Sequence, residues 1–177
     1  MLEILRKRRS IRKYINTVIE AEKIDELVKS ALLSPSSRNI QPCEYIVVTD
    51  RNILEKLSHA KEHGSSFLKS ASLGMVVLAD SDRSDAWIED SSISSIIIQL
   101  TAESIGLASC WIQIRGRMHD TGETAEQYVR SILNIPENRK VESIISIGYQ
   151  DEEKRPYTDE ELNFNRVFKN EYSRKYS

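Results

Sequence analysis

A predicted helix and a predicted strand are joined by the stretch Ser34-Pro35-Ser36-Ser37-Arg38-Asn39-Ile40-Gln41-Pro42. Before it, apolar residues recur at helical spacing over residues 24–32, and after it the β-branched run 45–48 is typical of a buried strand. Pro35 disfavours helical backbone at the residue before it, and Pro42 favours an extended approach to the strand. The helix is therefore predicted to end near Ser34, and residues 34–42 are called the linker below.

The linker has two interpretations at this level. Its side chains Ser36, Ser37, Asn39 and Gln41 offer hydrogen-bond donors and acceptors at short range, which suits a wall against a planar polar ligand. The same composition is found in ordinary turns rich in proline and serine. The local sequence by itself favours the turn, so the choice depends on the rest of the chain.

Length and composition indicate one globular domain. The chain has 177 residues, of which 40% are apolar and 29% charged, and its net charge of -2 gives no global reason to bind nucleic acid. Cys43 and Cys110 lie far apart and form no CxxC pair, which favours a reducing compartment. No stretch approaches the ~20 apolar residues of a membrane span, and the N-terminus lacks the apolar core of a signal peptide. We therefore expect a cytoplasmic protein with no membrane partner.

A basic segment, residues 8–14, follows the first predicted helix. Its arginines are compatible with a solvated face, a nucleic-acid patch or a phosphate site. Arginine guanidinium groups bind phosphate through paired hydrogen bonds, and Ser10 adds a hydroxyl group. Ile11 and Tyr14 interrupt the charges as buried anchors would, which argues against a flexible basic arm.

The longest predicted helix, over residues 87–105, is apolar on more than one face. Such a helix must be buried, either centrally or by a partner chain, and in a chain this short it indicates an obligate dimer. Ser84 or Asp85 is predicted to cap its start, and Gly106 suits the position just after its end. Further strands are predicted over residues 73–79, 109–114 and 141–149.

Sequence motifs for side-chain catalysis are missing from the chain. It has no GxSxG motif, no P-loop, and no GxGxxG after a strand. His59 and His63 have the spacing of two metal ligands on one helical face, but no third ligand is evident, so a solvated face is favoured over a metal site. An enzyme without such groups usually takes its chemistry from a cofactor, and the basic segment and linker would suit a phosphorylated heterocycle.

Four stretches, in chain order, resemble the nitroreductase family of FMN-dependent oxidoreductases. They are Arg8-Arg9-Ser10-Ile11-Arg12-Lys13-Tyr14, the linker from Pro35 onward, residues 103–112, and Ile147-Gly148-Tyr149 with Lys154-Arg155 behind it. The resemblance implies an α+β fold with a mainly antiparallel sheet of four to five strands flanked by helices. It also implies an intertwined homodimer with FMN at the subunit interface. Residues 1–177 would form a single FMN-binding domain, in which residues 150–177 are a C-terminal extension that packs on the partner subunit.

The resemblance also assigns roles by position, and none of them is a catalytic side chain. Arg8, Arg9, Ser10 and Arg12 would hold the FMN phosphate and the nearby flavin edge. Pro35, Ser36, Ser37 and Asn39 would reach in from the other subunit to line the isoalloxazine. The backbone of Trp111, Ile112 and Gln113 would pass under the ring, with the Gln113 N–H near flavin N5. Lys154 or Arg155 would add a phosphate contact, and the choice between them stays open.

The sequence departs from the family pattern in three places. The mildest is at Ser91 and Ser92, where small Gly or Ala residues usually start the core helix. The other two concern single residues. Cys43 stands where an aromatic residue often follows the Gln-Pro pair, and Gln113 stands where glycine is common. We expect the Gln113 side chain to crowd the flavin ring. Both changes could alter which acceptor fits, and neither abolishes flavin binding.

The implied function is hydride transfer from NAD(P)H, through flavin N5, to an electron-poor small molecule such as a nitroaromatic or a quinone. The two reactants would use one slot in turn, a ping-pong mechanism, and Arg12 would oppose negative charge on the flavin. Three alternatives stay open. The same fold could serve dehalogenation, flavin cleavage or dehydrogenation, or it could bind flavin without catalysis. A nucleic-acid module using Arg8, Arg9 and Arg12 is disfavoured by the slight acidity and by the lack of interleaved aromatics.

Overall fold

A four-stranded sheet, antiparallel throughout, forms the centre of the protein, in a computed structural model that describes residues 1–176. This confirms the expected sheet, with four strands in the order β1-β2-β4-β3. The strands are β1 (Cys43–Val48), β2 (Leu73–Asp80), β3 (Ala108–Gln113) and β4 (Arg139–Gly148). The central pair, β2 and β4, is buried along most of its length because helices cover both faces of the sheet.

Residues 1–176 contain five α-helices, of which four pack on the two faces of the sheet and the first packs on the fourth. They are α1 (Leu2–Lys7), α2 (Ala21–Leu32), α3 (Arg51–Ser58), α4 (Trp87–Ser104) and α5 (Ala125–Leu133). Helices α2 and α4 bury Met75, Val77 and Ile145 on one face of the sheet, whereas α3 and α5 bury Val76 and Ile144 on the other. The alternation follows from the two-residue period of a strand.

Side-chain caps begin two of the helices, α3 and α5. The Asp50 side chain accepts hydrogen bonds from the Asn52 and Ile53 N–H groups, at 2.8 Å and 3.0 Å, and so caps α3. Thr124 and Gln127 form a reciprocal capping box at the start of α5.

The predicted cap of α4 is wrong, although its end is as expected. Ala86 is the N-cap and offers no side-chain hydrogen bond, because the Ser84 hydroxyl instead accepts the Ala86 N–H, at 3.2 Å, in the turn before the helix. At the other end Gly106 has φ +78°, and the Leu107 N–H donates to the Ala102 carbonyl at 2.8 Å. This pairing is a Schellman motif, whose left-handed residue favours glycine.

Part of the apolar surface of α4 stays uncovered in one chain. Ile98 is fully buried against the sheet, whereas Ile93 and Ile96 remain 39% and 37% exposed. After β4 the chain continues in short 3₁₀ turns, Asp159–Glu161 and Phe164–Arg166, and almost all of its side chains are exposed. Residue 177, the last of the expected C-terminal extension, lies outside the described residues. None of the helices within residues 1–176 is long and apolar enough to cross a bilayer.

Candidate functional site

The basic segment is fixed to the open edge of β3. Ser10 pairs in parallel with Ser109, and the Ile11 N–H donates to the Ser109 carbonyl at 3.1 Å. Ile11 and Tyr14 are only 3% and 6% exposed, which confirms that they are buried anchors. The arginines between and beside them are therefore held on rigid backbone.

The buried side chain of Tyr14 anchors the basic segment through hydrogen bonds. Its hydroxyl donates to the Ile11 carbonyl at 2.6 Å and lies 2.7 Å from Ser146 Oγ, and its burial raises the pKa of the phenol. The phenol therefore stays neutral and keeps its proton for this hydrogen bond. Its ring packs against Gly148, where a Cβ atom would come within 2.8 Å of Tyr14 Cδ1. The close approach explains why glycine occupies this position.

Arg8, Arg9 and Arg12 carry charges that the described chain leaves unneutralised. None of the three guanidinium groups forms an ion pair with a carboxylate in residues 1–176. The Arg9 guanidinium instead lies 4.3 Å from the ring centroid of Tyr157, and Arg12 lies 5.7 Å from that of Phe67. Ordered guanidinium groups without carboxylate partners are suited to an external anion such as phosphate.

Lys154 and Arg155 differ in their surroundings. The Lys154 ammonium donates to the Ser10 carbonyl, inside the basic segment, and lies 3.4 Å from Glu152 Oε1. Arg155 donates two hydrogen bonds to Glu161, at 2.7 Å and 2.9 Å, which lower the pKa of that carboxyl to about 2. The structure thus brings Lys154 to the arginines, while the charge of Arg155 is already compensated.

The three predicted residues of β3 present different groups to the edge. Alternate residues of a strand direct their N–H and C=O groups to the same side, and the Ser109 carbonyl faces the basic segment. Trp111 and Gln113 lie two and four residues after Ser109, so their N–H groups point to the same open edge as the Ser109 carbonyl. The side chain of Ile112, between them, is fully buried. The Gln113 side chain is held along the sheet: its Oε1 accepts from Trp111 Nε1 at 2.8 Å, and its Nε2 donates to Glu142 Oε1 at 3.0 Å.

A cavity of about 430 Å³ opens beyond the end of β3. It is lined by Lys61, Glu62, His63, Gln113, Gly116, Arg117 and Met118. Sequence reasoning did not assign Lys61 or Arg117 to a site. Arg117 belongs to a basic pair after the strand, which is a weak signal, and Lys61 falls in an unpatterned loop. Burial, assisted by the charge of Arg117, lowers the pKa of Lys61.

The predicted histidine pair does not share a helical face. Helix α3 ends at Ser58, before both residues, and each imidazole lies near a glutamate: His59 near Glu55 at 3.6 Å, and His63 near Glu62 at 3.7 Å. Across residues 1–176 no group of three or more potential ligands is placed to hold a metal ion.

The linker is folded into an unusual backbone shape. Arg38, Asn39 and Gln41 have left-handed φ angles of 52°, 54° and 51°. Such angles are costly for residues with a side chain and concentrate at functional sites. The Ser36 hydroxyl helps to hold the shape, since it accepts the Gln41 N–H at 2.8 Å.

A buried carboxylate fixes the linker to α4. Asp90 is 3% exposed, its Oδ1 accepts the Ser37 N–H at 2.8 Å, and the Ser84 hydroxyl donates to its Oδ2 at 3.4 Å. Sequence reasoning missed Asp90, because an acidic residue in the first turn of a helix normally needs no further explanation. Cys43, Tyr45 and Asp90 border a small cavity of about 170 Å³ beneath the linker.

The predicted site residues therefore form two groups within one chain. The basic segment, Lys154 and the edge of β3 come together, whereas Pro35, Ser36, Ser37 and Asn39 lie beside β1. Because β1 and β3 are the two outer strands, three strand spacings, roughly 14 Å, separate them. Within one chain the two groups therefore lie at opposite edges of the sheet.

Comparison with known proteins identifies the family. The model of the Nitroreductase family matches residues 5–149. An FMN-dependent nitroreductase from Clostridium difficile R20291 is 47% identical, with a TM-score of 0.95 over 97% of this chain and 100% of that one. A protein of Archaeoglobus fulgidus with the provisional name NADH dehydrogenase/NAD(P)H nitroreductase is 37% identical over 97% of this chain and 98% of its own length.

The fold extends to more distant proteins. The NADPH:FMN oxidoreductase from Vibrio harveyi, solved with NAD+, has a TM-score of 0.78 at 23% identity, over 97% of this chain and 77% of that one. At that identity the likeness concerns the fold alone. The family match over most of the chain and the near full-length relatives lead to one conclusion: this chain belongs to the nitroreductase family.

Proposed function

We propose that the protein is an FMN-dependent oxidoreductase that uses NAD(P)H to reduce a small electron-poor acceptor, such as a nitroaromatic or a quinone. The observation that carries the proposal is the set of unneutralised arginines on the open edge of β3. The names of the relatives support it, since the Clostridium difficile protein is called FMN-dependent and the Archaeoglobus fulgidus protein is named for NADH and NAD(P)H.

The basic segment fits the phosphate of FMN. Arg8 and Arg9 are half-buried and without carboxylate partners in residues 1–176, and Ser10 lies between them and Arg12. Lys154 is the better candidate for the late phosphate contact, because its ammonium already lies at Ser10, whereas Arg155 is engaged by Glu161. A dianionic phosphate would neutralise charges that are otherwise left in partial burial.

The edge of β3 fits the flavin ring. Backbone at Trp111, Ile112 and Gln113 is paired with β4, and the Gln113 N–H is directed away from β4 and can donate to the ring. Bound FMN would supply the hydride chemistry, taking a hydride from NAD(P)H and passing it to the acceptor. Arg12 would place a positive charge near the ring and stabilise negative charge there.

The linker would act in a second subunit. Its Pro35, Ser36, Ser37 and Asn39 lie at the sheet edge opposite the basic segment, so a homodimer is required for them to line the same flavin. Exposed apolar side chains on α4 and before β1, such as Ile93, Ile96 and Leu33, provide surface for that association.

Residues 150–177 would extend this association. The Asp151 N–H donates to the Lys13 carbonyl at 2.9 Å and the Tyr157 N–H to the Arg6 carbonyl at 3.0 Å, so the first part is tied to its own basic segment. Beyond it, Phe164 and Tyr172 are 52% and 84% exposed, as expected for a segment that packs on a partner subunit.

The experiment begins with the purified protein and its absorption spectrum. We expect a flavin spectrum that NADH or NADPH bleaches without oxygen and that a nitroaromatic or quinone then restores. The double variant Arg8→Ala/Arg12→Ala should lose FMN, whereas the control Lys69→Ala, which removes an exposed cation outside the basic segment and the linker, should retain it. A colourless wild-type protein that cannot be loaded with FMN would refute the proposal.

A further inference from the structure

The cavity beyond β3 has fixed walls. One wall is the loop that carries Lys61 and Glu62, and the other is the loop that carries Arg117 and Met118. A hydrogen bond joins the two loops, because the Glu62 N–H donates to the Met118 carbonyl at 3.3 Å. The second loop is itself tied down, because the Ala125 N–H donates to the Arg117 carbonyl at 2.9 Å. The floor is Gln113, whose side chain is immobilised by Trp111 and Glu142.

Positive charge exceeds negative charge in this cavity. Neither Lys61 nor Arg117 forms an ion pair with any carboxylate in residues 1–176, although both line the same space. The one acidic residue of the lining, Glu62, has its carboxylate 3.7 Å from His63 Nε2. Glu62 balances only one of the two positive charges, so an external anion lying between Lys61 and Arg117 would lower their electrostatic free energy.

The cavity has room for a small aromatic anion. A volume of about 430 Å³ is near the lower end of small-molecule sites, which span roughly 300–1,000 Å³. It accommodates a single aromatic ring with one charged substituent. The cavity also ends at Gln113, whose N–H is the group proposed to face the flavin.

We propose that this cavity binds the carboxylate of an anionic aromatic acceptor, with Lys61 and Arg117 as the residues that select it. The inference rests on the proposed function, because it assigns the substrate class of the same site. Acceptors of the nitrobenzoate type would enter with the carboxylate between the two cations and the reducible group toward Gln113. Neutral acceptors of the same size would bind without this electrostatic contribution.

A pair of matched acceptors tests the proposal on the FMN-loaded protein. The measured quantity is the ratio of kcat/KM for 4-nitrobenzoate to that for 4-nitrobenzyl alcohol, which have the same ring and differ in charge. We expect a ratio above one in the wild type, reduced about fivefold in Arg117→Gln and in Lys61→Gln, as for one partly exposed charge contact. The control Lys69→Gln removes an exposed lysine outside the cavity and should leave the ratio unchanged.

A binding measurement separates this proposal from the proposed function. Calorimetric titration of the oxidised protein with benzoate, with benzyl alcohol as the neutral control, requires no electron transfer. We expect benzoate to bind the wild type more tightly than either cavity variant. Equal benzoate affinity in all three proteins, or loss of bound FMN from Lys61→Gln and Arg117→Gln, would overturn the assignment of the cavity to the acceptor. A wild type that binds benzoate but is not reduced by NAD(P)H would refute the proposed function alone.

Discussion

The basic segment and the linker carry the two groups of predicted flavin-binding residues, but they are held in different ways. Backbone hydrogen bonds to Ser109 and Tyr149 make the basic segment an extension of the sheet. The linker has no strand partner over its left-handed residues and depends on the buried carboxylate of Asp90. The comparison shows two means of positioning the predicted ligand-binding groups: pairing with the sheet for the charges, and a strained loop held by hydrogen bonds to the Asp90 and Ser36 side chains for the polar wall.

The two regions also differ in whether their arginine side chains form ion pairs. The arginines of the basic segment keep their charges free of carboxylates in residues 1–176, whereas Arg38 of the linker is paired with Asp85. In the proposed site the linker would therefore contribute shape and hydrogen-bonding groups rather than charge. Substitutions should consequently affect ligand charge recognition in one region and loop geometry in the other.

The largest expected effect on stability comes from adding a methyl group at Gly148, against the buried ring of Tyr14. Gly148→Ala would place a Cβ atom 2.8 Å from Tyr14 Cδ1 and 3.1 Å from its Cγ, so the buried ring must move. We expect the free energy of unfolding to fall by about 1–3 kcal/mol, measured by urea denaturation at constant protein concentration. Gly74→Ala is the matched control, since its closest contact is the methyl end of Leu54 at 3.1 Å. An equal loss in both variants would contradict a special role for the Tyr14 contact.

The next effect concerns the anchor of the linker. Asp90→Ala removes the acceptor of the Ser37 N–H, and we expect the protein to lose about 2 kcal/mol of unfolding free energy. Asp90→Asn keeps an acceptor oxygen and should lose less. Hydrogen exchange at the Ser37 amide reports the change directly and should accelerate in the alanine variant. An amide that exchanges equally slowly in all three proteins would show that the linker holds its shape without Asp90.

A smaller effect distinguishes the two basic residues after β4. Lys154→Met should weaken FMN binding about tenfold, as the loss of one charge-assisted hydrogen bond does, whereas Arg155→Met should change it about twofold or less. The reason is that Glu161 neutralises Arg155, whereas the Lys154 ammonium donates to the Ser10 carbonyl of the basic segment. Titration of the apoprotein with FMN, followed by quenching of flavin fluorescence, measures both. The opposite order of the two variants would assign the phosphate contact to Arg155.

The smallest effect is a local response to acid. The pKa of Glu161 is lowered from 4.5 to about 2 by Arg155 and by the Thr158 N–H. Because the folded pKa is depressed, the contact contributes fully above the ordinary value and is lost as the pH falls from 4.5 toward 2. Carbon NMR of the Glu161 carboxyl group should show this low midpoint, and Arg155→Met should move it upward. A midpoint near 4.5 in the wild type would mean that the pair does not form in solution.

Much of the fold could be predicted because the signals are local. The helical spacing before the linker, the Asp50 cap and the capping box of Thr124 all act within a few residues. The predicted α4 cap is wrong because Ser84 and Asp85 are both common N-cap residue types, whereas the N-cap in the structure is Ala86. The choice was made by the turn that precedes the helix and by the contact of Ser84 with Asp90.

The sequence by itself determined the element types, the family and the candidate residues, because periodicity, caps and ordered motifs are properties of neighbouring positions. Only the tertiary structure decided that the two groups of candidates lie at opposite sheet edges, because strand order is set by packing across the whole chain. The same holds for contacts between distant residues: Asp90 and Ser37 are 53 positions apart, and Lys154 and Ser10 are 144 apart. Lys61 and Arg117 likewise face one cavity only because two loops meet there, and no local pattern encodes such a meeting.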